Sequence, residues 1–180
     1  MSSLAHSLVS WVEFLHLPER PEHGTRSELH DGEVVEMPPA RPQHLKIQKR
    51  IERLLEAAAS DRGVVYLEFP YRPLRNLQYW IADVVYVPQA DWDALPPNEY
   101  PIYTPPLIVE ELSPSNRAAK LNRQMIVAMS AGAQEFWIVD ANNLTVQVTS
   151  LSETKLYRTG ETIPVTMFGT TIPIDSIFAV

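Results

Sequence analysis

Between Gln43 and Ala59 the chain separates an apolar face from a polar one at helical spacing. Ile47, Ile51, Leu54, Leu55 and Ala58 fall on one side, and the periodicity predicts an amphipathic helix. His44 lies three residues before Ile47, on the apolar side of the first turn, while Lys46, Lys49, Arg50 and Arg53 flank it as a basic stripe. A shorter helix is predicted over residues 5–16, where Leu8, Trp11, Val12 and Leu15 share a face. Then SELHDGEVVEMPP reads as a hairpin around Asp31-Gly32, a pair that tolerates positive φ. VVYLEFPYRPL, QYWIADVVYV and LIVEEL are three strand-like runs, the last two separated by a Pro-rich loop. Ser113 followed by Pro114 is an N-cap with a first-turn proline. They predict a helix from about Pro114 to Ala131, ended by Gly132. QEFWIVD reads as a buried strand, LTVQVTSL with TKLYRTG as a hairpin, and residues 162–180 as further short strands with a terminal turn.

From residue 43 the order is therefore helix, three strands, helix, strand. Short loops join the early strands and a helix leads into the last. That pattern predicts an α/β (α+β) fold, a central mixed β-sheet flanked by helices and extended by N- and C-terminal β-hairpins. The 180 residues fit one domain, 1–180, with its core at about 43–140.

Charge changes the picture locally. The net charge is −7, which argues against binding nucleic acid by bulk charge. Yet residues 41–75 carry eight bases against four acids, inside an otherwise acidic chain. This is either a solvated helix face or a phosphate-facing ridge beside an acidic centre. There are no cysteines, which removes disulfides and thiolate chemistry. No apolar run approaches the roughly 18 residues of a membrane helix, and no secretory signal is legible. The expected setting is cytoplasmic, with no membrane partner.

Three acids sit in strands that are otherwise apolar. Asp83 lies within WIADVVYV, and Glu110 and Glu111 close LIVEEL. Asp is depleted in strands and costly to bury unless paired or metal-bound. Successive strand side chains point to opposite faces, so only one of the two glutamates can join a given site. Asp83 and Glu110, on adjacent strands, can meet at one divalent ion, since Mg²⁺ needs few protein carboxylates and keeps several waters. The competing reading makes Asp83 a strand-end residue with backbone or ion-pair partners. His44 is equally readable as a core histidine, and Glu28 as a solvent residue on a hairpin. Other chemistries are absent: six glycines form no phosphate loop, nucleophile elbow or dinucleotide fingerprint.

Taken in order, SELHDGEVVEMPP, His44 in its helix, IADVVYV, PPLIVEELSPSN and GAQEFWIVD resemble the Uma-two family, from about residue 8 to IPIDSIF. That family is similar to the PD-(D/E)XK nuclease superfamily and has a restriction-endonuclease-like fold. The resemblance implies a Mg²⁺- or Mn²⁺-dependent endonuclease acting on DNA, with Asp83 and Glu110 as metal ligands. Glu28 and His44 match positions the family favours near the site. Ala82 replaces the proline usual before the aspartate, and Leu112 stands where the superfamily carries its lysine. The family places that lysine on the following helix, eight residues before the glycine of its next motif, and Gln124 occupies the position here. Lys120, one turn earlier, lies on the same helix face and can project toward the strand ends. The resemblance thus implies a catalytic set of Asp83, Glu110, Lys120, Gln124, Glu28 and His44. Lys46, Lys49, Arg50 and Arg53 would contact DNA if they lie beside it. A non-catalytic DNA- or protein-binding module on the same scaffold is the alternative. A homodimer is expected only by analogy with other nucleases.

Overall fold

The computed structural model describes residues 8–17, 26–112 and 118–179. His6, His23 and the expected helix start at Ser113 and Pro114 lie outside the described residues. A short helix α1 (Trp11–Leu15) opens the described chain, capped reciprocally by Ser10 and Glu13. β1 (Arg26–His30) and β2 (Glu33–Met37) form the expected hairpin, and Asp31 and Gly32 both take positive φ. Two successive positive φ values are what a two-residue turn between twisted strands requires. The long helix α2 (Pro42–Ala59) starts on a proline and buries Ile47, Ile51, Leu55 and Ala59.

β3 (Gly63–Tyr71) and β4 (Trp80–Pro88) pair antiparallel, and β4 pairs antiparallel with β5 (Leu107–Glu111). Between β4 and β5 lies a helix the sequence did not announce, α3 (Gln89–Ala94). It buries no residue fully, and Trp92 leans on Tyr66 at 5.5 Å. α4 (Ala118–Ser130) carries the chain over to β6 (Glu135–Asp140), parallel to β5. Gly132, at φ 112°, terminates α4 as expected. β7 (Thr145–Ser150) and β8 (Thr154–Arg158) then extend the same sheet. The sheet order is β3-β4-β5-β6-β7-β8, mixed because of the one parallel pair. β9 (Thr162–Val165) and β10 (Thr170–Pro173) make a separate hairpin. The expected terminal turn is the short helix α5 (Ile174–Phe178).

Apolar residues fill both faces of the sheet. On one face α2, α5 and the β9–β10 hairpin cover Val84, Leu107, Val109, Trp137 and Val139. On the other, α4 covers Ala82, Val85, Ile108 and Phe136. Trp80 and Trp137 are almost fully buried, so they belong to the core. The α2-to-β3 junction is tight: a Cβ built on Gly63 would stand 2.2 Å from the Val87 carbonyl oxygen. That neighbour is strand backbone and cannot swing away. Gly63→Ala is expected to cost about 2–3 kcal/mol, read as a lower midpoint in urea unfolding. An unchanged midpoint would show that the two strands separate there freely.

Two strands carry a shared irregularity. In β3, Val65 and Leu67 face the α2 side, whereas Phe69 and Tyr71 face the α4 side. In β4, Ala82 and Val85 face α4 while Val84 faces α2. The alternation therefore shifts at Glu68 and Asp83, which lie opposite one another between the pairs Leu67↔Val84 and Phe69↔Ala82. Glu68 takes φ 56°, a region unfavourable for a side chain with a Cβ. The shift turns both carboxylates toward the N-terminal end of α2.

Candidate metal centre

α2 presents His44 and Gln48 one turn apart, both toward the sheet. His44 Nε2 lies 2.9 Å from Asp83 Oδ1. Gln48 Nε2 donates to the same oxygen at 2.8 Å and to Glu68 Oε1 at 2.7 Å. The other Asp83 oxygen accepts the Glu111 backbone N–H at 2.6 Å. Asp83 is thus fixed by three donors from two elements, and one amide ties it to Glu68. Ligand atoms of His44, Glu68 and Asp83 all lie within 4.8 Å of one another. Glu68 completes its bonding with an ion pair to Arg26.

Glu111 closes the site from β5. Its Oε2 lies 3.2 Å from His44 Nδ1, outside good hydrogen-bond geometry, and is otherwise buried with no donor among the described residues. An orphaned, buried carboxylate oxygen is costly. Burial opposes charge on the His44 imidazole, but Asp83 and then Glu111 outweigh it and hold its pKa up at about 10. An ion at this cluster would take the imidazole in its neutral form.

A second group adjoins from the α4 side. Glu110 is buried, and its Oε1 accepts the Gln124 amide at 2.9 Å. Burial, then the charges of Asp83 and Glu28, push the Glu110 carboxyl well above its ordinary range. Glu28 accepts the Ile81 N–H at 2.9 Å and lies 2.6 Å from His30 Nε2. Burial alone would raise Glu28, but His30, the Ile81 amide and Lys120 together hold it below the usual range. Lys120 Nζ reaches to 3.5 Å from Glu28 Oε2.

The first group and Glu28 meet at a cleft of about 290 Å³. Glu28, His44, Glu68, Asp83 and Glu111 supply its acidic and imidazole groups, and the chain around Met37–Arg41 forms an opposing wall. Of the residues expected at the site, Asp83, His44 and Glu28 line the cleft. Lys120 does project toward it through Glu28. Glu110 follows Val109, which pairs with Val84 next to Asp83, but its carboxylate turns to Gln124 on the opposite face of the sheet. The cluster that a cation fits pairs Asp83 with His44 and Glu68 instead. Lys46, Lys49 and Arg53 are exposed on the far side of α2, Arg50 is partly exposed there, and none of the four lines the cleft. Lys49 pairs with Glu52 of its own helix. The four therefore stand away from this cleft. Its arginines are Arg26 and Arg41.

Residues 11–175 match the family Uma2, described as "Putative restriction endonuclease". The chain belongs to the Uma2 family. Among solved structures, a "putative nuclease belonging to DUF820" from Anabaena variabilis superposes with a TM-score of 0.80. It shares 22% identity and is matched over 98% of its length by 95% of this chain. At that identity the likeness shows the fold. Among curated proteins none matches.

Sequence reasoning missed Gln48, Glu68 and Arg26. Gln48 had a signal: it lies one turn after His44 on the apolar side of α2, and it is 2% exposed. Glu68 had none, because its direction depends on the face shift within β3.

The donor set fits a divalent cation. Two carboxylates and one imidazole converge, and a further carboxylate oxygen, on Glu111, lacks a donor. Oxygen ligands suit Mg²⁺ and Mn²⁺, and the imidazole extends the set toward transition ions.

Proposed function

We propose that this Uma2 protein is a metal-dependent endonuclease that hydrolyses DNA phosphodiester bonds at the Asp83 cleft. The observation that carries this reading is the convergence of His44, Glu68 and Asp83 from three different elements, tied together by Gln48. A bound Mg²⁺ or Mn²⁺ would supply Lewis-acid activation of the phosphodiester. Asp83 and Glu68 provide negative ligands and His44 a neutral one. Gln48 fixes their spacing, so the ligands need little rearrangement. Lys120 is the ammonium nearest the acids and offsets charge on the reacting phosphate. Glu110, held by Gln124, adds a carboxyl beside Asp83, and Glu28 positions Lys120. The protein would act on DNA in the cytoplasm.

The test is incubation with supercoiled, linear, single-stranded and branched DNA in Mg²⁺, in Mn²⁺ and in EDTA. Cleavage in either metal, absent in EDTA, is the expected result. Failure of folded protein to cut any substrate would overturn the proposal. One observation favours a second reading, a binding module without catalysis: Gln124 occupies the position where the resemblance puts a lysine. That reading expects a metal-dependent rise in melting temperature with no cleavage.

A further inference from the structure

Both oxygens of the Glu68 carboxylate already have a partner. Oε1 accepts the Gln48 amide, and Oε2 pairs with Arg26. A cation that takes Glu68 as ligand would share an oxygen with one of these two donors, and so weaken or displace it. They differ greatly in freedom. Gln48 is 2% exposed and also bonds Asp83. The Arg26 side chain is 45% exposed, begins the hairpin strand β1, and its one ion pair among the described residues is the one with Glu68. A guanidinium on a flexible stem can swing into water at small cost, whereas a buried amide that loses its acceptor cannot. Like charge adds to this, since a divalent ion on Glu68 repels the guanidinium beside it.

Resting on the metal-centre reading above, we infer that Arg26 is an exchangeable cation: metal uptake at Glu68 releases it, and the released guanidinium binds a DNA phosphate at the mouth of the same cleft. Arg26 lines that cleft together with Arg41. Its planar fork suits phosphate oxygens as well as it suits a carboxylate. The positive charge that held the acids together without metal becomes a phosphate contact once metal is present. Metal and DNA thereby bind with positive coupling, and Arg26 is a positioning residue for substrate and not a metal ligand.

Arg26→Ala and Arg26→Lys separate this from a structural role. Metal binding is read without DNA, by titration calorimetry with Mn²⁺. Removal of a partly exposed competitor is expected to tighten Mn²⁺ by roughly 2–5-fold in Arg26→Ala. A structural defect would weaken it. DNA binding is read by anisotropy with a labelled single-stranded phosphorothioate oligonucleotide, across salt concentrations, with Mn²⁺ and with EDTA. In EDTA the salt slopes of wild type and Arg26→Ala should coincide, because Arg26 is engaged by Glu68. In Mn²⁺ the Arg26→Ala slope should be shallower by roughly 0.7, the loss of one phosphate contact on a single strand. Arg26→Lys should keep the slope. Equal slopes in both conditions, or the same difference in both, would overturn the exchange. So would weaker Mn²⁺ binding by Arg26→Ala in a protein whose wild type binds it. A wild type that binds no Mn²⁺ would overturn the metal centre itself, and the exchange with it.

Discussion

Asp83→Ala is expected to lower metal-dependent DNA cleavage on the order of 10³-fold or more, and to erase the rise in melting temperature caused by Mg²⁺ or Mn²⁺. The size follows from how many interactions share this one carboxylate. Its Oδ1 takes His44 and Gln48, and its Oδ2 takes the Glu111 amide. Truncation removes a ligand and also loosens Glu68, whose amide partner Gln48 loses its second acceptor. It leaves buried donors without acceptors, which costs about 1–3 kcal/mol each. Part of that is returned, since Asp83 no longer repels its neighbouring carboxylates. Asp83→Asn is the control that separates folding from chemistry. The amide keeps the side-chain shape and one acceptor oxygen but sets its NH2 against a donor, so the variant should melt below wild type, above Asp83→Ala, and show no metal-induced shift. Calorimetric melting and gel assays on the same preparations give both readouts. Cleavage that survives in Asp83→Ala would place the chemistry elsewhere or expose a contaminating nuclease.

The fold was legible because its core elements advertise themselves in one dimension. β5 is buried at every position, and its neighbours β4 and β6 read as near-continuous apolar runs. α2 keeps a strict helical period, and Gly132 stops α4 where expected. α3 escaped because it is six residues long, buries nothing fully and hides among prolines. The site was legible in the same partial way. Asp83 and the Glu110-Glu111 pair stood out as acids inside apolar strands, and alternation correctly separates the two glutamates. It does not say which of them faces α2. The structure gives that face to Glu111, which approaches His44, and turns Glu110 to Gln124. Glu68 was invisible because it occupies an ordinary polar place in an alternating strand. Only its left-handed backbone brings it opposite Asp83, and such a conformation is imposed by the surrounding packing. The basic stripe shows the converse. Charge density along a helix is readable, but its distance from a cleft is not.

Lys120→Ala is expected to reduce cleavage by roughly 10²–10³-fold, and Gln124→Lys on top of it to restore most of the loss. Lys120 is the ammonium that stands nearest the acids, 3.5 Å from Glu28, and its charge acts on both Glu28 and Glu110. Gln124 sits deeper, 3% exposed, with its amide on Glu110 and 3.4 Å from the Tyr71 hydroxyl. An ammonium at position 124 would be expensive to bury alone. Here it would replace a hydrogen bond to a carboxyl whose pKa burial raises, and an ammonium beside that carboxyl would favour its ionised form. The double variant therefore moves the positive charge from the Glu28 side to the Glu110 side of Asp83 without changing the number of basic side chains. Single-turnover rates at saturating Mn²⁺ read the chemical step free of DNA-binding changes. Recovery in the double variant would show that the site needs a lysine charge near Asp83 and tolerates either helical turn. A Lys120→Ala rate equal to wild type would remove lysine from the chemistry. An inactive wild type that gains cleavage through Gln124→Lys would mean that the metal centre and the cleft are intact and that one missing charge separates a binding module from a nuclease.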